Sequence, residues 1–227
     1  MYEDLGVVIV AGGSARRFGG DKLLCELDGM PLFLHSVRAF APLAAPGCLV
    51  VVAPAAGVEH YRELCRRFLP EVEAVFAAGG ETRPRSVRSG LDALRLERGF
   101  VAVHDAARPL ADGPLLEELL AVARRCGGAI PGKPVTDTLK RAGADGAVAG
   151  TVEREGLWRV ETPQVFDLVR LRQAYSSHPD AETTDDAGMM ELAGYSCRMV
   201  HNPRENRKIT YPGDLSLLKL LIGESGS

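Results

Sequence analysis

The chain has 227 residues, of which 46% are hydrophobic and 25% are charged. This length predicts one globular domain and leaves little room for a second full domain. The formal net charge of -3 argues against non-specific nucleic-acid binding, which usually requires a basic excess. The cysteines lack CxxC spacing, the N-terminus lacks a signal-peptide pattern, and no apolar stretch is long enough to span a bilayer. We therefore expect a cytoplasmic protein without a structural metal, and with neither membranes nor nucleic acids as partners.

Apolar and amphipathic segments alternate along the first half of the chain. The short apolar runs, which predict buried strands, cover residues 5–10, 49–53, 73–77 and 100–104. The segments with apolar residues at helical spacing, which predict helices, cover residues 31–43, 59–68, 86–96 and 114–125. This alternation predicts an α/β fold in which helices flank both faces of a mostly parallel sheet. Ligands of such sheets bind at the carboxyl ends of the strands.

The second half of the chain departs from this alternation. The strands predicted there cover 129–131, 138–141 and 196–201, and the helices cover 185–192 and 213–221. Residues 143–156 are rich in glycine and alanine and then charged, which predicts a projecting hairpin or arm. A long surface loop is the open alternative for this segment. No repeat or low-complexity linker divides the chain, so we predict a single domain over 1–227 with an arm at approximately 143–156.

A glycine-rich segment follows the first predicted strand and includes Gly12, Gly13 and Ala15. Glycines let the backbone approach a phosphate closely and turn its N–H groups toward it. Arg17 and Lys22 would add fixed positive charge. Lys22 is followed by leucine rather than serine or threonine, so the segment is not a Walker A loop. The pattern predicts a phosphate-binding loop, and an ordinary turn is the alternative.

Asp105 and Arg108 come directly after the predicted strand at 100–104, at the edge of the sheet where ligands bind. Arg108 could hold a phosphate through two hydrogen bonds. The alternative is an ion pair between Asp105 and Arg108 that closes the strand end. We assign no catalytic role to His104, because a histidine in a buried strand is more often a packed, hydrogen-bonded residue.

Five hydroxyl or basic residues in the second half are further candidates for a binding site: Thr138, Arg154, Thr162, Thr184 and Lys208. Each also has an ordinary structural explanation. Thr138 suits a strand, and Thr184 could cap the helix predicted at 185. Arg154 and Lys208 could be solvated charges. Taken one by one, the structural explanation is favoured for each of them.

The most specific motif in the chain is VHDAARP, at residues 103–109. The supporting motifs are AGG…RRFG…K near the start, GGETRPRSVRSGL (79–91), PVTDTLKR (134–141), VEREGLWRVETPQVF (152–166), TDDAGMMELAG (184–194) and ENRKITYPGDL (205–215). On these motifs the chain resembles the 2-C-methyl-D-erythritol 4-phosphate cytidylyltransferase family from residue 7 to about 218. Two positions differ from the family pattern. Ala15 stands where a glycine is usual, and Asp21-Lys22-Leu23 stands where Pro-Lys-Gln is common.

The resemblance implies a Rossmann-like α/β fold with a protruding dimerisation arm that interlocks two subunits, and hence a homodimer. It also implies transfer of CMP from CTP to 2-C-methyl-D-erythritol 4-phosphate, with release of pyrophosphate, in non-mevalonate isoprenoid synthesis. The expected cofactor is Mg²⁺, bound mainly through the CTP phosphates. Two alternatives stay open: a ribitol 5-phosphate cytidylyltransferase, and a non-catalytic sugar-nucleotide-binding module.

The resemblance further implies three groups of site residues. The catalytic residues would be Arg17, Lys22, Arg154 and Lys208. Arg154 would reach the site of the other subunit from the arm. The residues around the nucleotide would be Ala11, Gly12, Gly13, Ala15, Gly80, Glu81, Ser86 and Ala106. The residues around the acceptor would be Asp105, Arg108, Thr138, Thr162 and Thr184.

Overall fold

The structure is a computed structural model, and it describes residues 1–12 and 21–224. Its strands are β1 (Leu5–Val10), β2 (Glu26–Leu27), β3 (Met30–Pro31), β4 (Leu49–Ala53), β5 (Val75–Ala78), β6 (Phe100–Asp105), β7 (Gly128–Pro134), β8 (Leu139–Ala142), β9 (Val148–Val152), β10 (Trp158–Val160), β11 (Gln164–Asp167) and β12 (Arg198–His201). Its helices are α1 (Leu32–Phe40), α2 (Val58–Phe68), α3 (Arg83–Ala93), α4 (Gly113–Cys126), α5 (Leu168–Ser177), α6 (Asp186–Leu192) and α7 (Pro212–Glu224).

The main sheet is mostly parallel. Across the sheet, β5, β4, β1 and β6 follow one another in parallel pairs. Beyond β6 come β11 and then β7, and β12 pairs in parallel with the far side of β7. The antiparallel members are β11, which lies between β6 and β7, and β10, which pairs with the end of β7. The carboxyl ends of the parallel strands therefore lie along one edge.

The apolar runs of the strands are continuous because helices cover both faces of the sheet. Along β1, Val7 and Ile9 pack into a cluster with side chains of α1, α2 and α4. Val8 and Val10 point to the opposite face and pack with side chains of α3, α5 and α6. This alternation of side chains across the sheet confirms the predicted α/β fold with helices on both faces.

The hairpin predicted at 143–156 is present, and it begins earlier than expected. Strands β8 and β9 pair antiparallel in a small sheet of their own, with the turn at residues 143–147. Gly146 adopts a φ of 81°, which suits the turn. Most side chains of the pair are exposed. A hairpin is therefore confirmed over the surface loop, while its role in dimerisation stays a prediction.

Other elements differ from the sequence-based predictions. Helix α3 begins at Arg83 rather than at 86, because Thr82 caps it by accepting a hydrogen bond from the Arg85 N–H and Pro84 lies in its first turn. Strands β10 and β11 and helix α5 were not predicted at all. No helix among the described residues is both long and apolar enough to cross a membrane. The single domain over 1–227 stays a prediction.

Candidate active site

The carboxyl edge of the sheet brings together residues that are far apart in the sequence. Ala11 and Gly12 follow β1, Gly79 and Gly80 follow β5, and Asp105 ends β6. Since β11 runs antiparallel to β6, the residues just before β11 lie at the same edge. The parallel topology therefore places the candidate residues of several motifs in one region.

A cavity of about 450 Å³ lies at this edge beside Gly12, and its other lining residues are Pro54, Ala55, Gly79, Gly80, Glu81, Thr82, Arg83 and Ser86. The Ser86 hydroxyl accepts a hydrogen bond from the Gly80 N–H at 3.1 Å and donates to the Thr82 carbonyl at 3.0 Å. A Cβ on Gly80 would lie 2.5 Å from the Cβ of Arg85, so the loop needs glycine at this position. The cavity thus has a backbone wall that a ligand can approach closely.

Four residues predicted to bind the nucleotide line this cavity, namely Gly12, Gly80, Glu81 and Ser86. Ala11 and Ala106 are buried at the ends of the neighbouring strands β1 and β6, where the Ala106 N–H donates to the Val10 carbonyl at 3.0 Å. Glu81 is exposed and pairs with Arg85 at 3.0 Å. The other predicted residues of the glycine-rich segment, Gly13, Ala15 and Arg17, lie outside the described residues.

A cluster of charged side chains lies beside the cavity and is centred on Asp105. Its Oδ2 accepts a hydrogen bond from the Lys208 ammonium at 2.6 Å, and its Oδ1 accepts one from the Arg83 Nε at 3.1 Å. The Arg83 Nη2 donates to Asp186 at 2.8 Å. The Asp105 side chain is 12% exposed and that of Lys208 is 42% exposed. The cluster is therefore buried at its base and open to solvent at Lys208.

Arg83 and Lys208 keep the Asp105 carboxylate ionised. Burial alone would raise its pKa, but Arg83 and then Lys208 overcome that effect and lower the pKa well below its usual range. For Arg83 the directions are reversed. Burial alone would lower the pKa of its guanidinium, but the carboxylates of Asp186 and Asp105 outweigh that effect and raise it. At neutral pH the cluster thus holds an ionised Asp105 between two cations.

Thr162 and His104 form hydrogen bonds on the buried side of this cluster. The Thr162 Oγ1 accepts a hydrogen bond from the Asp105 N–H at 3.0 Å and lies 3.2 Å from the His104 Nδ1. The His104 Nε2 lies 3.1 Å from the Ser36 hydroxyl and 3.2 Å from the Arg108 carbonyl. Burial lowers the pKa of His104 to about 3, so the imidazole is neutral at pH 7. His104 is a packed, hydrogen-bonded residue, as the sequence predicted.

Arg108 is not the partner of Asp105, so the predicted alternative of an Asp105–Arg108 ion pair is wrong. The Arg108 guanidinium instead donates to the carbonyls of Asn206 at 2.8 Å and of Val160 at 3.4 Å. Its Nε is buried and has no hydrogen-bond partner in the described part of the chain. Asp105 pairs with Arg83 and Lys208 because both cations approach from elements that are distant in sequence.

The loop that carries Lys208 is fixed by buried amides. The Asn206 Nδ2 donates to the Thr162 carbonyl at 2.8 Å and to the Glu161 carboxylate at 3.2 Å. The Asn202 Nδ2 donates to the same carboxylate oxygen at 2.8 Å. Because these side chains are buried, the bonds tie the loop to the segment before β11. Lys208 is thereby held at a defined place beside Asp105, so it is a partly solvated charge with a fixed partner.

Lys22 lies close to the same loop. Its ammonium donates to the Ile209 carbonyl at 2.6 Å, one residue after Lys208. Asp21 caps the short 3-10 turn Lys22–Leu24 by accepting from the Leu23 N–H at 3.1 Å. The second oxygen of Asp21 accepts from the Tyr61 hydroxyl at 2.9 Å. The start of this turn is therefore anchored, and Lys22 contacts the Lys208 loop.

Three predicted site residues lie on the exposed surface, namely Thr138, Arg154 and Thr184. Thr138 directly precedes β8. The Arg154 guanidinium donates to the Thr136 carbonyl of its own chain, across the base of the hairpin. Thr184 is not the helix cap that the sequence suggested, because Asp185 caps α6 by accepting from the Gly188 N–H at 3.0 Å.

Sequence reasoning missed several residues that build the cluster. Arg83 lies in one of the motifs but was assigned no role, and neither were Asp186, Gln164 and Glu161. The Gln164 amide joins β11 to α6, since its Oε1 accepts from the Asp186 N–H and its Nε2 donates to Asp185. No local spacing identifies these residues, because their partners lie far away in the sequence.

A mostly parallel sheet with a glycine-lined cavity at its carboxyl edge, beside a cluster in which Arg83 and Lys208 pair with Asp105 and Asp186, fits an α/β nucleotidyltransferase. Comparison with known proteins agrees. The model of the IspD family, 2-C-methyl-D-erythritol 4-phosphate cytidylyltransferase, matches residues 5–224. The cytidylyltransferase of that name from Dehalococcoides mccartyi is 35% identical over 223 residues, which cover 98% of this chain and 97% of that protein. The chain therefore belongs to the 2-C-methyl-D-erythritol 4-phosphate cytidylyltransferase family.

Two further similarities support this assignment. The crystal structure of 2-C-methyl-D-erythritol 4-phosphate cytidylyltransferase from Thermus thermophilus matches with a TM-score of 0.75 at 32% identity, covering 95% of this chain and 98% of that one. The bifunctional enzyme IspD/IspF of Granulibacter bethesdensis is 39% identical over 93% of this chain. The chain spans about half of that longer relative, 54% of its length. The family and the nucleotidyltransferase class predicted from the motifs are confirmed.

Proposed function

We propose that this chain transfers CMP from CTP to the phosphate of 2-C-methyl-D-erythritol 4-phosphate and releases pyrophosphate. The observation that carries the proposal is the hydrogen bond between Lys22 and the carbonyl of Ile209. It joins Lys22, which follows the glycine-rich segment in the chain, to the loop of Lys208. A nucleotide triphosphate and an anionic acceptor would thus meet among positive charges, and the relatives are named as cytidylyltransferases of such an acceptor.

The proposed reaction needs no general base. An oxygen of the acceptor phosphate, already an anion, attacks the α-phosphorus of CTP, and the bond between that phosphorus and the bridging oxygen of the pyrophosphate breaks. The difficulty is to bring anions together and to stabilise the charge of the transition state. Lys22 and Arg17 serve that purpose on the nucleotide side. Lys208 and Arg154 orient the attacking phosphate.

The proposed substrate contacts combine the family resemblance with the geometry of the edge. The cavity beside Gly12, Gly80 and Ser86 receives the base and ribose of CTP, and Ala11 and Ala106 lie at the ends of the neighbouring strands β1 and β6. Glu81 lies at its rim. The acceptor lies over Asp105, whose carboxylate accepts a hydrogen bond from a hydroxyl of the acceptor. Arg108, Thr138, Thr162 and Thr184 complete the acceptor side.

Mg²⁺ enters this proposal with the CTP phosphates. No group of three or more His, Cys, Asp or Glu side chains in residues 1–12 and 21–224 could hold a metal ion. Among the carboxylates at this edge, Glu81 lines the cavity and is paired with Arg85, and Asp105 and Asp186 of the charged cluster are both paired with Arg83. Oxygen ligands from the triphosphate suit Mg²⁺, which keeps much of its water. When bound, Mg²⁺ would supply positive charge that offsets the negative charge of the leaving pyrophosphate.

We also propose a cytoplasmic homodimer in which Arg154 acts on the site of the other subunit. Several large apolar side chains near the hairpin are exposed in the single chain, among them Val148 at 68% and Leu157 at 39%. A two-fold interface would cover them. Arg154 is exposed on the loop between β9 and β10 and therefore accessible to a second subunit.

The activity is tested by following pyrophosphate release with Mg²⁺ and CTP, with methylerythritol phosphate and ribitol phosphate offered in parallel. We expect turnover with the first acceptor and preference for CTP over GTP, ATP and UTP, because a site that hydrogen-bonds one base leaves its groups unpaired with another. Lys22→Ala should lower kcat about 100-fold or more. Lys219→Ala, at an exposed lysine of α7, is the matched control. Turnover with GTP equal to that with CTP would contradict the proposal.

The dimer is tested by mixing two inactive variants, Lys22→Ala and Arg154→Ala. If Arg154 acts across the interface, each mixed dimer contains one site with both lesions and one site with neither. Subunit exchange should then restore activity toward half of the wild-type value per mixed dimer. No recovery after exchange, or a monomer by sedimentation at assay concentration, would rule out the shared site.

A further inference from the structure

The guanidinium of Arg83 links two carboxylates that belong to different parts of the fold. Its Nε donates to Asp105 at the end of β6, and its Nη2 donates to Asp186 at the start of α6. The side chain is 20% exposed and lines the glycine-lined cavity. Arg83 therefore stands between the proposed nucleotide cavity and the proposed acceptor site, and it has no part in the mechanism described above.

The end of this link at Asp186 is rigid. Asp186 is completely buried, and its Oδ1 accepts a hydrogen bond from the Tyr175 hydroxyl at 2.6 Å. Its N–H donates to the Gln164 Oε1 at 3.1 Å. The end at Asp105 is the open one, because its second oxygen bonds to the half-exposed Lys208. The guanidinium thus fixes the position of the Asp105 carboxylate relative to the buried Asp186.

Stability alone does not account for this arrangement. The third nitrogen of the guanidinium, Nη1, is buried and has no hydrogen-bond partner among the residues described. An unpaired buried donor is unfavourable, and buried ion pairs are often no more stabilising than apolar residues of the same volume. A buried arginine with an unsatisfied nitrogen is therefore better explained by a role at the site.

We propose that Arg83 is a positioning residue, which holds the Asp105 carboxylate with Oδ1 on the guanidinium and Oδ2 turned toward Lys208 and the acceptor. This inference rests on the proposed function, since it concerns the acceptor of that reaction. Without Arg83, the carboxylate is free to rotate about its own bond and to pair with Lys208 through either oxygen. The acceptor hydroxyl then meets a carboxylate that is no longer oriented.

The charges around Asp105 add a dependence on pH. Arg83 from α3, Lys208 from the loop after β12 and Arg108 from the loop after β6 all lower the pKa of the Asp105 carboxyl, and the charge of Arg83 acts more strongly than the charge of either other residue. His104, the preceding residue of β6, is neutral. Loss of Arg83 should therefore raise the pKa of Asp105, so that the carboxylate becomes protonated at a higher pH.

The test compares Arg83→Lys and Arg83→Met with the wild-type chain in the pyrophosphate assay. Lysine keeps the charge but lacks the planar fork that bridges two carboxylates. We expect either variant to raise the KM for the phosphorylated acceptor substrate on the order of 10-fold or more. The reason is that the Asp105 carboxylate is no longer held where it accepts the hydrogen bond of the substrate hydroxyl. The KM for CTP should change less. The acidic limb of kcat/KM for the acceptor should move to higher pH in Arg83→Met and not in Arg83→Lys.

Two controls separate positioning from folding. Tyr175→Phe removes a hydrogen bond at the Asp186 end but keeps both bonds of Arg83, so it should lower stability and change the acceptor KM much less than the Arg83 variants do. Arg88→Met removes an exposed arginine of the same helix. If Arg83→Met does not fold, the double variant Arg83→Met with Asp186→Asn removes the buried carboxylate left without a cation. It should fold and show the same change in acceptor KM.

The possible results are distinct. An active wild type whose Arg83 variants keep the acceptor KM would overturn the inference, as would an equal rise in KM in Tyr175→Phe. A wild-type chain that releases no pyrophosphate with the acceptor would overturn the proposed function and this inference with it. A rise in acceptor KM confined to the Arg83 variants, with the pH shift in Arg83→Met, is the result that supports it.

Discussion

Replacing Asp105 by asparagine would test how much the charged cluster contributes to stability. The substitution keeps the size of the side chain and removes its charge. In the folded chain, Asp105 is 12% exposed and accepts hydrogen bonds from Lys208 at 2.6 Å and from Arg83 at 3.1 Å. Neither hydrogen bond would then have an ionised acceptor. Arg83 and Lys208 would be left close together with no carboxylate between them. We therefore expect a clear loss of stability.

The size of the loss follows from the surroundings of each partner. Removing one partner from a buried ion pair costs about 3–5 kcal/mol. Arg83 keeps its second carboxylate, Asp186, and Lys208 is 42% exposed and can regain water. We therefore expect the lower end, about 3 kcal/mol. For a chain of this length that lowers Tm by roughly 6–12 °C.

The assay is urea unfolding of the wild type and of Asp105→Asn, each at several pH values. The pKa of Asp105 is lowered in the folded chain, so its contribution is fully present above the ordinary aspartate pKa of about 3.9 and is lost as the pH falls below it. The difference in free energy of unfolding should be constant from about pH 8 to pH 5 and then shrink. Asp92→Asn, at an exposed position of α3, should change stability by less than about 0.5 kcal/mol. A difference below about 1 kcal/mol at pH 7, or one that persists unchanged at pH 3, would refute the reasoning.

Two further predictions concern the core. Gly90→Ala should lower the free energy of unfolding by about 1–3 kcal/mol, because its Cβ would lie 2.4 Å from the Val8 Cγ1 and 2.8 Å from the Val52 Cγ2. Gly150→Ala in the exposed hairpin is the control, because a Cβ at that position would meet no atom outside its chain neighbours within 4 Å. Equal free energies of unfolding for the two variants in urea would disprove the packing argument. His104, with its pKa lowered from 6.5 to about 3, is protonated in the unfolded chain before it is protonated in the folded one. Its contribution makes the free energy of unfolding fall by at most about 1.4 kcal/mol per pH unit as the pH drops below 6.5. His104→Gln should flatten that slope, and an unchanged slope in the variant would show that other groups cause it.

The family and the order of the main elements were predictable from the sequence. Strand β1 is apolar at every position because both of its faces are covered, and such a run is visible without any structure. The VHDAARP motif is specific enough to identify the family without any knowledge of contacts. The strands that follow the hairpin were harder to predict. Strands β10 and β11 are short, β10 is mostly exposed, and neither has the local pattern of a buried strand.

The site could be predicted only in part. Gly12, Gly80 and Ser86 were expected near one another, and they do line one cavity. Asp105 was expected at the sheet edge, but the only partner considered for it was Arg108, in the same short motif. The observed partner Arg83 is 22 residues away and Lys208 is 103 residues away. An ion pair at such separations depends on the packing of whole elements, and no local pattern records it.

The sequence by itself determined the alternation of strands and helices, the glycines of the cavity wall and the motifs of the family. All of these are properties of short segments, set by side-chain periodicity and by local backbone freedom. Only the tertiary structure decided which charges meet. Helix α3, strand β6, helix α6 and the loop after β12 come together at one edge because the parallel sheet brings its carboxyl ends there. Arg83, Asp105, Asp186 and Lys208 then form one cluster, in which burial makes each charge depend on its neighbours.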